Sequence, residues 1–238
     1  MKKLLTLCLE AAAATGSQAV VLFDNGAAAS GTPPLSVIRP GGTLLGAGAQ
    51  ASIPNLVGDN FSVSGPGWNV QSLTFYGYQS FAASAFTFTS ATWSIVSGDV
   101  NTGSVVASGT GAPVTNSGLV GYRVSPTTLT NPDRAIFAIN VDIPDVTLAP
   151  GSYWLRWGLA GSLASGPWQP PTADGVVGNA VQSLANAAFL PVVDAGDTLG
   201  VEFPFTIQGS VVPEPSTYAM LLAGAAAVLS ITRRRRRA

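Results

Sequence analysis

The body of this chain is predicted to be all-β, a two-sheet β-sandwich or jelly-roll-like domain, on three observations. Gly, Pro, Ser, Thr and Asn interrupt the chain roughly every ten residues, the spacing expected of short strands joined by turns. Phe137, Ile139, Val141 and Ile143 alternate with Ala138, Asn140 and Asp142, the period-2 pattern of a half-buried strand. No stretch between the two ends of the chain carries a convincing helical periodicity.

Taken in order, strands are expected at residues 20–24, 62–63, 70–78, 92–96, 104–109 and 119–124. The alternating stretch 137–143 follows, ended by Pro144, with a turn at Leu148-Ala149-Pro150-Gly151. In 152–159, Tyr153, Leu155 and Trp157 share one face and Trp154 and Arg156 the other. The strands on either side of that turn form a hairpin or a pair joined by a short corner. A last strand spans 200–208. Nine or so strands over this length suit a sandwich. Residues 25–60 and 160–190, rich in Gly, Ala and Pro, are expected as long loops, and 209–212 as a short spacer.

Charge is sparse and segregated. Only 10% of the 238 residues are charged, against 47% hydrophobic, which argues against disorder. Lys2 and Lys3 lie at one end, and Arg233, Arg234, Arg235, Arg236 and Arg237 at the other. Between residues 20 and 212 four arginines (Arg39, Arg123, Arg134, Arg156) face ten acids, a net charge of −6. An acidic body with four scattered cations cannot neutralise a phosphate backbone, so nucleic acid is excluded as a partner. The chain has no histidine, the commonest general base and transition-metal ligand. Its one cysteine, Cys8, leaves the body without a disulfide, and the bulky Leu7 before it argues against lipidation.

The two ends read as addresses. Lys2 and Lys3 precede an apolar run at 4–9, an alanine stretch and Ser17-Gln18-Ala19. That is the order of a secretory signal, here residues 1–19 with cleavage after Ala19, although Glu10 interrupts the apolar run. At the other end a spacer, 209–216, contains Pro213, Glu214 and Pro215. A single transmembrane helix is expected over 217–232, sixteen uncharged residues, and a basic cytoplasmic tail over 233–238. The two prolines keep a helix from running back into the body and hold the triplet extended. The arginine block stops translocation and stays inside. Sixteen residues reach about 24 Å, short of the roughly 30 Å hydrocarbon core, which fits a provisional anchor.

The Pro213-Glu214-Pro215 triplet, the apolar run with Gly224 and the arginine cluster together closely resemble the PEP-CTERM sorting signal of Gram-negative bacteria. The resemblance implies recognition and cutting near the triplet by the membrane-embedded enzyme exosortase. It implies export, a transient inner-membrane anchor, then a place at the cell surface or outside, often alongside exopolysaccharide. The body is similar to a recurring type of PEP-CTERM ectodomain in four places. They are Val21-Leu22-Phe23-Asp24-Asn25-Gly26, Leu73-Thr74-Phe75-Tyr76-Gly77-Tyr78, Gly151-Ser152-Tyr153-Trp154-Leu155 and Gly161-Ser162-Leu163-Ala164-Ser165-Gly166-Pro167-Trp168. That likeness implies location and fold class, not activity.

Chemistry in the body is sparse. Without histidine a histidine-based triad is excluded, and a carboxylate-dependent glycoside hydrolase is the enzymatic reading left open. No catalytic residue or cofactor is expected. Asp194 and Asp197, flanking Gly196, and Asp142 and Asp145, flanking Pro144, read first as turn-forming or capping aspartates. Either pair is also a calcium candidate, Asp194 and Asp197 foremost, though neither has the spacing of a recognised calcium loop. Five tryptophans, Trp68, Trp93, Trp154, Trp157 and Trp168, raise glycan binding, because an aromatic face stacks on a sugar ring. Trp157 is expected in the core. Trp154 and Trp168 are the candidate glycan contacts, with Trp168 in a proline-stiffened loop where it either meets a ligand or plugs the sandwich edge. The expected role is that of a non-catalytic surface or extracellular-matrix protein associated with exopolysaccharide, with a lectin-like module and a hydrolase as alternatives.

Overall fold

The computed structural model describes residues 19–213. The expected signal segment, all but its last residue, lies outside these, as do Glu214, Pro215, the expected transmembrane helix and Arg233 to Arg237.

The described residues contain strands and no helix. In chain order the strands are β1 (Val20–Asp24), β2 (Leu35–Val37), β3 (Ala47–Gly48), β4 (Leu56–Val63), β5 (Trp68–Gly77), β6 (Phe88–Ser97) and β7 (Ser104–Pro113). Then follow β8 (Thr115–Val124), β9 (Ala135–Leu148), β10 (Gly151–Gly161), β11 (Trp168–Gln169), β12 (Val181–Ser183), β13 (Leu190–Pro191) and β14 (Phe205–Val211). One six-stranded sheet has the order β1-β14-β5-β9-β8-β2, and a second has β13-β12-β4-β10-β6-β7. A two-stranded β11-β3 ribbon stands apart. The prediction of an all-β sandwich holds.

The alternation seen in the sequence decides which faces meet. Phe137, Ile139, Val141 and Ile143 of β9 and Tyr153, Leu155 and Trp157 of β10 all point into one core. Trp157 is fully buried, stacked on Phe75 of the facing sheet with ring centroids 5.2 Å apart. Its indole nitrogen donates to Gln169 Oε1 at 3.0 Å, so the buried N–H is satisfied. The turn at Leu148 to Gly151 is a corner, carrying the chain from one sheet to the other, and not a hairpin.

Several boundaries differ from expectation for identifiable reasons. Pro144, expected to end its strand, lies inside β9. There the register slips: Val70 pairs with Val146 but Ser72 with Asp142, so the proline sits in a bulge, where a missing N–H costs no rung. Asp142 and Asp145 therefore stand on a strand, not a turn, and Asp145 accepts from the Asn69 side-chain amide at 2.9 Å. The stretch 25–60, expected as loop, holds β2, β3 and the first half of β4. The stretch 160–190 holds β11 and β12. The expected spacer after 208 is still strand, since β14 runs to Val211 and the Val212 N–H bonds Gly67 O at 3.0 Å.

Both ends of the body leave from one side. Val20 pairs with Gly209, and Val211 pairs with Trp68, which pairs with Leu148 beside the start of β10. From there β10 runs to the opposite side, where Leu159 bridges Gln50.

Candidate groove

On that opposite side three segments far apart in sequence enclose a groove of about 1000 Å³. They are 44–55, 164–168 and 182–193, and no charged residue lines the groove. Its polar centre is organised around Gly48. Trp168 pairs with Gly48 across the β3–β11 ribbon. The Gln182 side-chain amide donates to Gly48 O at 2.8 Å, and the Asn55 amide donates to Gln50 Oε1, also at 2.8 Å. A Cβ on Gly48 would stand 2.7 Å from Gln50 Oε1, so glycine is what admits this amide cluster. Exposed Ile53, Leu184, Leu190 and Val193 form an aliphatic rim.

Trp168 combines the two roles weighed from the sequence. One side of the ring packs on the small cluster of Ala28, Tyr78 and Ile136, closing the sandwich edge. The ring is nonetheless half-buried and lines the groove, with its N–H turned to Ser165 Oγ at 3.3 Å. Trp154, the other candidate, lies elsewhere. It packs on the outer face of the second sheet with Val100, Val181 and Phe189, next to Arg156, whose guanidinium sits 5.5 Å from the Phe189 ring centre. The structure does not bring the two tryptophans together.

Of the two foremost calcium candidates, Asp194 braces one wall of the groove through Leu44, and Asp197 stands outside it. Asp194 is 2% exposed and accepts from the N–H groups of Thr43, Leu44 and Gly196 and from the Thr43 hydroxyl. Burial alone would raise its pKa, but these donors hold it below the ordinary value. Arg123, 3% exposed, grips the same stretch through its carbonyls, donating to Leu45 O at 2.9 Å and to Leu44 O. Burial lowers the Arg123 pKa to about 10. Asp197 forms an ion pair with Arg39, Nη2 to Oδ1 at 2.8 Å, and this donor depresses its pKa. Both carboxylates thus face N–H donors, and no group of three or more His, Cys, Asp or Glu capable of holding a metal occurs among the described residues.

An acid pair of one buried and one half-buried carboxyl, Asp59 and Glu202, carries no signal in the sequence. Asp59 on β4 is fully buried, accepting from Phe203 N at 2.7 Å and Asn60 N at 2.8 Å. Its carboxyl also hydrogen-bonds that of Glu202, which in turn accepts from Asn25 Nδ2 and Asn179 N. Burial, then the Glu202 carboxyl, push the Asp59 pKa up to about 8. Gly178 packs on the Glu202 side chain where any Cβ would collide. Neither acid lines the groove.

Gln50, Asn55, Gln182, Asp59 and Glu202 carry no local motif. The amide cluster forms only when Gln182 meets Gly48, and the acid pair only when β4 meets the segment before β14, each across more than a hundred positions. At the other end of the body Pro213, the one member of the sorting triplet among the described residues, is exposed directly after β14. A family model of the PEP-CTERM protein-sorting motif matches residues 211–237. No curated protein matches the chain.

Proposed function

We propose, from the premise that this chain carries a PEP-CTERM sorting motif and is therefore exported for exosortase-dependent sorting, that its body is a non-catalytic surface or matrix module associated with exopolysaccharide. The observation that carries this reading is the placement of the tail. The motif begins at the last strand residue, Val211, and Pro213 is exposed beyond it. A membrane-embedded enzyme can therefore reach the triplet without unfolding β14. An N-terminal signal segment and a transmembrane anchor over 217–232 complete the scheme.

The non-catalytic part of the reading is supported by the acid geometry. Glycoside hydrolysis needs two carboxyls held about 5 to 9.5 Å apart around the scissile bond. Asp59 and Glu202 instead lie close enough for their carboxyls to interact, and neither lines the groove.

Replacing Pro213, Glu214 and Pro215 by alanine is the test of sorting. The uncut chain is expected to accumulate in the inner-membrane fraction, and normal processing of that variant would refute the assignment. Association is read separately, as co-fractionation of the processed wild-type chain with the host's own exopolysaccharide.

A further inference from the structure

We infer that the groove around Gly48 is a binding site for an uncharged stretch of polysaccharide, with Trp168 as stacking platform and Gln50 and Gln182 as hydroxyl partners. This deepens the proposed exopolysaccharide association and rests on it only for the source of the polymer. The chemistry is read from the groove itself.

A sugar chain presents apolar C–H faces and hydroxyls that both donate and accept. The groove offers the complement of each. The Trp168 ring and the Ile53 and Leu190 side chains supply apolar surface. Gln182 uses its amide nitrogen on Gly48 O, and Gln50 uses its amide oxygen on Asn55. That leaves the Gln182 oxygen to accept and the Gln50 nitrogen to donate, since neither bonds another described residue. Holding each amide by one end fixes the direction of the other, which lowers the ordering cost of binding.

Charge decides the class of guest. No side chain lining the groove is ionic, and the body around it carries −6 between residues 20 and 212. A polyuronate or sulfated chain would meet like charge with no cation to receive it. A phosphate-bearing guest is excluded on the same ground.

Position favours an external polymer. The groove lies at the end of β10 where Leu159 bridges Gln50, while the sorting tail leaves near its Gly151 end. Eight residues of strand separate the two, roughly 26 Å. Of the two ends of the body, the groove therefore occupies the one from which the tail does not leave.

The test uses the full chain in detergent, electrophoresed through gels containing a neutral glucan (dextran or soluble β-glucan), alginate, or the host's own exopolysaccharide. Retardation is expected by a neutral polymer and not by alginate. Trp168→Ala should weaken it by about tenfold, the usual scale for losing one aromatic anchor. Because Trp168 also packs on Tyr78, two further variants guard against misfolding. Gln50→Ala removes a hydroxyl partner, and Ala188→Arg, at an exposed wall position, obstructs the groove. Both should reduce retardation, and Ala188→Arg should do so with thermal unfolding unchanged.

Retardation indifferent to all three variants would overturn the inference, as would a preference for alginate. So would a chain that ignores every polymer and dimerises through Leu184 and Leu190. The two readings fail separately. If the groove variants still co-fractionate with exopolysaccharide in cells, the site is wrong and the association stands; if wild type never co-fractionates, the association itself falls. Binding of a neutral glucan in vitro would then still support the site.

Discussion

Arg123 and Asp194 grip one short segment, residues 43 to 45, by opposite ends of the peptide group and meet at Leu44. The cation takes the carbonyls of Leu44 and Leu45, and the anion takes the N–H groups of Thr43 and Leu44. This short segment leads directly into the groove floor at Gly46 to Gly48. Neither residue touches the other, yet each makes the other's partner backbone more rigid.

Removing either member leaves buried backbone groups without partners. Asp194→Ala and Arg123→Ala should each destabilise by about 2–3 kcal/mol, measured by urea unfolding. Because they act on one segment, the double variant should lose less than the sum of the two. Full additivity would mean that the clamps act independently.

Acid–base titration should expose the acid pair. The Asp59 pKa is raised on folding, to about 8 against an ordinary carboxyl value near 4. The folded chain therefore binds more protons than the unfolded one between those two values. Stability should fall, by a few kcal/mol, as pH rises from about 4 to about 8, the reverse of the usual carboxylate effect. Asp194 and Asp197, depressed on folding, act oppositely and cost stability only as pH drops below the ordinary carboxyl range. Asp59→Asn should flatten the slope between those values; an unchanged slope would assign it to another group.

The core stack offers a size test. Trp157→Ala removes the largest fully buried side chain, stacked on Phe75, and should cost about 3–5 kcal/mol in denaturant unfolding. Trp157→Phe keeps the stack but strands the Gln169 acceptor, so a smaller yet measurable loss is expected.

At the tail, replacing Arg233 to Arg237 with glutamines removes the charge that opposes translocation. Fractionation should then show uncut chain shifted from the inner membrane to the soluble exported fraction. Retention unchanged by the substitution would show that the apolar run alone is a sufficient anchor.

What could be read from the sequence divides along physical lines. Strands with one face in the core announce themselves by alternation, so β9 and β10, with Phe137 to Ile143 and Tyr153 to Trp157, were legible residue by residue. β3, β11 and β13 have two residues each, too few to show a period. β2 is barely longer and pairs parallel with β8 at only three positions. Pro144 misled because a proline is tolerated in a bulge, and a bulge depends on the partner strand.

The sorting tail was legible because its signal is contiguous: triplet, apolar run and arginines stand side by side. The groove was not, because Gln50, Trp168 and Gln182 come from three segments whose meeting is decided by the whole fold. Trp168 was found as an oddity of composition, an aromatic in a proline-rich loop. The turn role of Asp194 and Asp197 is legible because their acceptors meet N–H groups two residues on, at Gly196 and Leu199, whereas the bonds of Asp194 to Thr43 and Leu44 and of Asp197 to Arg39 span 150 positions or more and carry no local signal.

The register that sets Val20 opposite Gly209 also has a mechanical meaning. A tug on the anchored tail enters β14, which is laced on both flanks to antiparallel β1 and β5. Rungs that run across the strand resist such a pull in shear, all together, and do not peel open one at a time. If the far end is gripped by a hydrated gel, tension would travel lengthwise through the sheets. The body would then behave as a tie-bar between envelope and gel until the tail is cut.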